Sequence, residues 1–231
     1  MSFAPFYFVI IAPGLALSLW ASWRVKSSFS RYSRVRAMTG LTGAEAAQRL
    51  LDGAAISDVR IERANGFLSD HYNPATKTLA LSGDVYAGAS IAAIGVACHE
   101  AGHAIQHAQR YGPVWLRTAL VPTANIGASL GYIVMTIGLF MQSAGTVLLG
   151  AALFSMVVLF QIVTLPVELD ASARAKRLAV EHGIVSASER EGIDRVLNAA
   201  ALTYVAAVVS TLLTLLYFLL RAGLLGGRRD D

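Results

Sequence analysis

His99-Glu100-Ala101-Gly102-His103 sets two imidazoles and a carboxylate in the HExxH pattern. Residues four apart on a helix share a face, so His99 and His103 can offer nitrogen ligands to one metal ion. Glu100, one step round, is placed to take a proton from a water that the metal acidifies. The flanks suit a helix. Ser90 is its expected N-cap, the stretch from Ile91 to Cys98 is apolar or small, and the next proline is Pro113.

Two imidazoles do not complete such a centre, because a catalytic zinc ordinarily has three protein ligands and one open position. A third His six residues past His103 would complete the metzincin pattern, but that position is Gln109. His107 shares the helical face one turn on and would have to reach back along the axis, so it reads as a helix-face or pocket-lining residue. Glu168 is the first acidic residue after Arg117, and it follows a stretch, Thr118 to Val167, without Asp, Glu, Lys, Arg or His. With Pro166 just before it, Glu168 is expected to open a new helix and to supply the third ligand, the gluzincin arrangement. The competing reading makes Glu168 and Asp170 helix-start carboxylates that complement the helix dipole.

The uncharged run also fixes the class. Fifty residues without a charge suffice for two membrane helices of about twenty residues each and a turn, which Met141-Gln142-Ser143-Ala144-Gly145 supplies. Spans are expected near 119–140 and 146–165, with others near 3–22 and 201–220. A hydrophobic content of 55% and a mean hydropathy of +0.54 agree. The expected fold is a mainly α integral membrane protein with about four transmembrane helices and a small gluzincin-like α+β catalytic region. Its expected parts are an N-terminal anchor (1–23), a catalytic region with the HExxH helix (24–118), a transmembrane hairpin (119–165), helices carrying the third ligand (166–200), and a last span with its tail (201–231).

The first span carries its positive charges after it, at Arg24, Lys26, Arg31, Arg34 and Arg36, which reads as an anchor rather than a cleavable leader. Segment 23–118 holds eleven of the nineteen Lys and Arg, segment 166–200 holds five, and the 141–145 turn holds none. Four crossings put both charge-rich segments in the cytoplasm and the turn outside, as the positive-inside rule expects. Arg221, Arg228 and Arg229 of the tail then fall outside, against the rule. His99, His103 and Glu168 are separated by two spans and end on one side, at the inner face of the membrane.

Upstream of the motif, Thr42 and Glu45 form a capping box that starts a short helix. Val59-Arg60-Ile61-Glu62-Arg63 and Thr76-Lys77-Thr78-Leu79-Ala80-Leu81-Ser82 alternate like strands, with a turn at Asn73-Pro74. A small antiparallel sheet is expected there, with an edge that could accept an extended peptide.

Asp70-His71-Tyr72-Asn73-Pro74, the stretch His99 to His107, and Leu165-Pro166-Val167-Glu168-Leu169-Asp170-Ala171-Ser172 together resemble the YugP-type bacterial membrane zinc metallopeptidases, distant relatives of the HtpX and Ste24 proteases. The resemblance covers almost the whole chain. It implies Zn2+ as cofactor, peptide-bond hydrolysis near the membrane surface, and a peptide or membrane-protein substrate. In the wider pattern an Asp four residues after the ligand Glu steadies a ligand His. That position is Ser172 here and the nearest acid is Asp170, so either could orient an imidazole.

The chemistry expected is metal-assisted hydrolysis with Glu100 as general base. His71, Tyr72, His182 and Arg174 are candidates for the donor that steadies the oxyanion. Cys98, the sole cysteine, allows no intramolecular disulfide and reads as a packing residue. The Gly127/Gly131 pair is the spacing that lets membrane helices approach closely. A net charge of +4 fits retention at the membrane surface and lipid attraction, not nucleic-acid binding. A zinc-dependent membrane adaptor without turnover would keep the same ligands. A transporter is disfavoured, since the spans carry no ionisable residue.

Overall fold

The computed structural model describes residues 3–66 and 69–225; Arg228 and Arg229, whose charges bear on orientation, lie outside the described residues. The order of elements is α1 (Phe3–Tyr32), α2 (Gly43–Gly53), β1 (Arg60–Ala64), β2 (His71–Asn73), β3 (Thr78–Ser82), α3 (Gly83–Tyr86), α4 (Ile91–Ala108), α5 (Gly112–Ile126), a π-helical turn (Gly127–Gly131), α6 (Tyr132–Phe140), α7 (Ala144–Glu181) and α8 (Arg190–Arg221). The protein is mainly α-helical. Among the described residues four helical stretches are long and apolar enough to cross a membrane: Tyr7–Tyr32, Gly112–Phe140, Ala144–Glu181 and Arg190–Arg221. Each outruns the span expected from the charge-free sequence, because the helices continue into polar ends.

The chain forms two compact units. One comprises residues 1–21, 115–165 and 203–231; the other comprises 22–114 and 166–202. In the first, glycines let α5, the π turn and α6 meet α7. A Cβ on Gly127 would lie 2.4 Å from the Leu153 carbonyl oxygen, and one on Gly131 2.7 Å from the Phe154 nitrogen. Only glycine permits that approach. Met135, Val147, Ala151, Phe154, Tyr217 and Phe218 form the core of this unit. Ile126, Ile133, Ile137, Leu148 and Leu149 face outward, an apolar surface suited to lipid.

The second unit is built around α4. Its Ile91, Ile94, Ala97, Cys98, Ala101 and Ile105 are buried with Leu50 and Leu51 of α2, Leu79 and Leu81 of β3, and Ile193 and Leu197 of α8. The α2 helix starts as the sequence indicates. Thr42 accepts from the Glu45 backbone, and the Glu45 carboxylate accepts from the Thr42 backbone.

The sheet corrects the expected antiparallel pairing. Its order is β1-β3-β2; β2 pairs antiparallel with β3, while β1 pairs parallel with it, Arg60 opposite Thr78 through Ala64 opposite Ser82. The cause is a third strand too short for alternation to reveal. With His71–Asn73 inserted, the chain reverses twice between β1 and β3, so these two run the same way. The hairpin turn is held by Asn73 Oδ1, which accepts from the Ala75 and Thr76 backbones at 3.0 and 3.4 Å. Asp70 accepts from the Ser82 backbone at 2.8 Å and secures the hairpin's other end.

Candidate metal centre

Ser90 caps α4 as expected, its Oγ accepting from the Ala93 backbone at 3.2 Å. The α4 helix then carries His99 and His103 on one face, their rings edge to face with centroids 4.8 Å apart. Opposite them is α7. The expectation that Glu168 opens a helix is corrected: Glu168 lies inside the continuous helix Ala144–Glu181, which also contains Pro166. A proline costs a helix one backbone donor and crowds the preceding turn, but long apolar helices accommodate it. Glu168 therefore owes its position to the inward face of α7, where Val167, Ala171 and Ala175 are fully buried. No helix starts near it.

Gly102 makes the meeting possible. A Cβ there would sit 2.7 Å from the Ala171 carbonyl oxygen, so α4 and α7 touch backbone to backbone between the two histidines.

This crossing brings His99, His103 and Glu168 together, with one candidate ligand atom from each lying within 4.8 Å of the others. Glu168 Oε2 is 3.3 Å from His99 Nε2 and 3.4 Å from His103 Nε2. Charge-assisted hydrogen bonds between nitrogen and carboxylate run about 2.7–2.9 Å, so this spacing is wide for an ordinary ion pair. Two ligands each about 2.05 Å from a tetrahedral zinc are about 3.3 Å apart, which the spacing matches.

The remaining ring nitrogens are engaged. Ser172 Oγ is 3.1 Å from His99 Nδ1. His103 Nδ1 donates to Gln106 Oε1 at 3.0 Å. Gln106, fully buried, donates through Nε2 to the Val167 carbonyl at 2.8 Å and to Asp170 Oδ2 at 2.7 Å. Arg174 Nε donates to the same Asp170 oxygen at 2.6 Å. Both acceptors facing the Gln106 amide nitrogen are oxygens that cannot donate, so its carbonyl must face His103, and His103 must carry its proton on Nδ1. Its Nε2 lone pair then points toward the Glu168 carboxylate. Electron-rich atoms so arranged call for a cation or a proton between them, and the donor set suits a divalent ion of zinc's type. Without a metal, two effects act oppositely on the His103 imidazole. Burial works against its charged form, but the Glu168 carboxylate outweighs this, with help from Glu100 and Gln106, and holds its pKa above that of an ordinary histidine.

Glu100 is partly exposed on α4 and its charge is felt at His103. Asp170 and Ser172 thus both support the histidines, Ser172 at His99 and Asp170 at one remove from His103. The four oxyanion candidates lie elsewhere. His71 is exposed on β2, its Nδ1 2.8 Å from the Ser69 carbonyl. The Tyr72 hydroxyl is 3.0 Å from His107 Nδ1, which gives His107 a partner other than a metal. Arg174 is held by Asp170 and by the Gln109 side chain, and its guanidinium lies over the Tyr111 ring. His182 packs over Gly53 at the end of α2. Cys98 is a buried free thiol in the α4 core. Sequence reasoning missed Gln106 and Gly102. A glutamine three residues beyond His103, preceded by Ala104 and Ile105, hints at a buried polar side chain but does not name its partners.

A family model described as "Putative neutral zinc metallopeptidase" matches residues 7–223. The chain is also 46% identical over 215 residues to "Putative membrane protease YugP" of Bacillus subtilis (strain 168), an alignment covering 93% of this chain and 95% of that protein. No solved structure matches the chain. The cofactor this family implies, Zn2+, is the ion that two imidazoles and a carboxylate at such spacing suit. Because the match runs from the first apolar helix to the end of the last, the chain as a whole belongs to this family of zinc metallopeptidases.

Proposed function

We propose that the chain is an integral-membrane zinc endopeptidase of the gluzincin type, in which His99, His103 and Glu168 hold the ion and Glu100 is the general base. The observation that carries the reading is the convergence of those three side chains where α4 crosses α7, with the far nitrogen of each ring engaged. When bound, zinc supplies Lewis acidity, polarising a scissile carbonyl and bringing the pKa of water toward about 7. The chain's own residues do the rest. Gln106 holds the His103 tautomer, and Ser172 accepts the Nδ1 proton of His99. Glu100 takes the proton of the attacking water and passes it to the departing amine. An outer strand, β2, meets α4 through Tyr72 and His107, so an extended peptide added to its edge would run beside the motif helix.

The site is assigned to the cytoplasmic face of the bacterial cell membrane, on the charge distribution of the segments that contribute to it. A protease there suits membrane-protein quality control. The test uses the full chain in detergent with zinc analysis. Glu100→Gln is expected to keep zinc and lose cleavage of a membrane-protein or unfolded substrate. Glu168→Ala is expected to lose zinc. Undiminished proteolysis by the first variant removes Glu100 as base, and full zinc content in the second removes Glu168 as ligand. Retained zinc with no metal-dependent cleavage by the unaltered chain would favour an adaptor.

A further inference from the structure

We propose that Gln106 is the positioning residue of the metal centre, locking His103 in its ligating tautomer and linking it to the Asp170 carboxylate. The inference rests on the reading of His99, His103 and Glu168 as zinc ligands. Gln106 is a fully buried polar side chain in a stretch of α4 that otherwise packs apolar residues. Burying an amide without partners is costly, and this one has three, arranged in one sense. Its two N–H groups go to the Val167 carbonyl and Asp170, and its oxygen takes the Nδ1 proton of His103. A turned amide would set its oxygen against two other oxygens, so the orientation is enforced rather than chosen.

The support behind Gln106 is equally directed. Asp170 is fixed by Arg174 from the next turn of α7. Arg174 is in turn held by Gln109 and stacked on Tyr111, both just beyond the Gln106 end of α4. The line Arg174, Asp170, Gln106, His103 therefore ties the metal-facing side of α4 to α7 by hydrogen bonds that converge on the Asp170 carboxylate: His103 donates to Gln106, and Gln106 and Arg174 both donate to Asp170. A carboxylate acting through a polarised amide makes Nε2 a better donor, the role usually filled by a carboxylate touching the ring directly. His99 is served differently: among the described residues its Nδ1 meets the Ser172 hydroxyl and no carboxylate stands behind it. The two imidazoles are thus supported unequally, and His103 is the one whose donor strength depends on a remote charge.

The test is zinc affinity of the full-length chain in detergent, measured by competition with a chromophoric chelator. Gln106→Leu removes the amide and is expected to weaken zinc binding about 10- to 100-fold. Gln106→Lys keeps donors toward Val167 and Asp170 but offers His103 no acceptor. It is expected to weaken zinc comparably while holding the thermal stability of the metal-free protein closer to that of the unaltered chain. Zinc affinity within twofold of normal in Gln106→Leu or Gln106→Lys overturns the proposal. His103→Ala separates the two readings. If it still binds zinc normally, the ligand assignment fails. If it loses zinc while Gln106→Leu does not, only the role of Gln106 fails.

Discussion

A single imidazole here is under two opposed demands. Burial disfavours a charge on His103, while the Glu168 carboxylate favours it and wins, so in the absence of metal the ring keeps its proton above the ordinary value of 6.5. A group whose pKa is raised by folding stabilises the folded state fully below its unfolded pKa and loses that contribution as pH climbs through the folded one. The metal-free chain should therefore lose thermal stability as pH rises above about 6.5. Zinc needs the deprotonated ring, so the extra stability conferred by zinc should grow with pH over the same range. Melting curves with zinc and with chelator, from about pH 6 to about pH 9, test both trends. A zinc increment that does not change with pH would show that no site histidine gives up a proton to the metal. At this scale the sequence was partly legible. HExxH announces itself because its logic is local, one helical turn. Glu168 could be found because it ends a charge-free stretch, although the reason first given for its placement, a helix start, was wrong. Gln106 could not be assigned from the chain alone. Its function depends on Val167 and Asp170, more than sixty positions away, and a glutamine near the end of a helix ordinarily faces water.

The crossing of α4 and α7 is a matter of elements, and two glycines of the same helix distinguish its determinants. Replacing either glycine by alanine should gain about 1 kcal/mol of helix propensity. At Gly95 the new Cβ would meet the Ile193 side chain at 3.5 Å, an ordinary contact, so Gly95→Ala should stabilise the protein by up to that amount. At Gly102 it would meet the Ala171 carbonyl oxygen at 2.7 Å, a backbone atom that cannot swing aside. Overpacking of this kind costs about 1–3 kcal/mol, which exceeds the propensity gain. It would also push apart the segments bearing His99, His103, Glu168 and Ser172. Gly102→Ala is expected to lower both melting temperature and zinc affinity, and Gly95→Ala to raise the first and leave the second unchanged. Equal behaviour of the two would mean that the close approach does not set the site. Elements were legible in proportion to their length. Helices with long apolar runs or a capping box stood out. The parallel sense of β1 and β3 did not, because it depends on a three-residue strand whose composition, His-Tyr-Asn, carries no alternation.

At the scale of the whole molecule, the proposal requires that the segments supplying the ligands share one face of the membrane. The charge-free stretch between Arg117 and Glu168 is long enough for two crossings, an even number, and in the proposed orientation the positive charges of 23–118 and 166–200 lie on the cytoplasmic side. The chain is convenient for testing this, because its one cysteine is silent: burial pushes the Cys98 thiol up to about 12, and a protonated, enclosed sulfur does not react with maleimides. Cysteines introduced singly at the exposed positions Ala108, after the motif, Ala187, after α7, and Ala144, at the turn, therefore report alone. A membrane-impermeant maleimide applied to intact cells should label Ala144→Cys only, and permeabilised cells should add Ala108→Cys and Ala187→Cys, while the unaltered chain stays unlabelled in both. Labelling of the pair at 108 and 187 from outside, with 144 protected, would reverse the orientation and leave the metal centre intact. Labelling of 108 and 187 from opposite sides would mean an odd number of crossings between the histidine helix and the glutamate helix, and no arrangement of side chains could then bring His99, His103 and Glu168 to one ion.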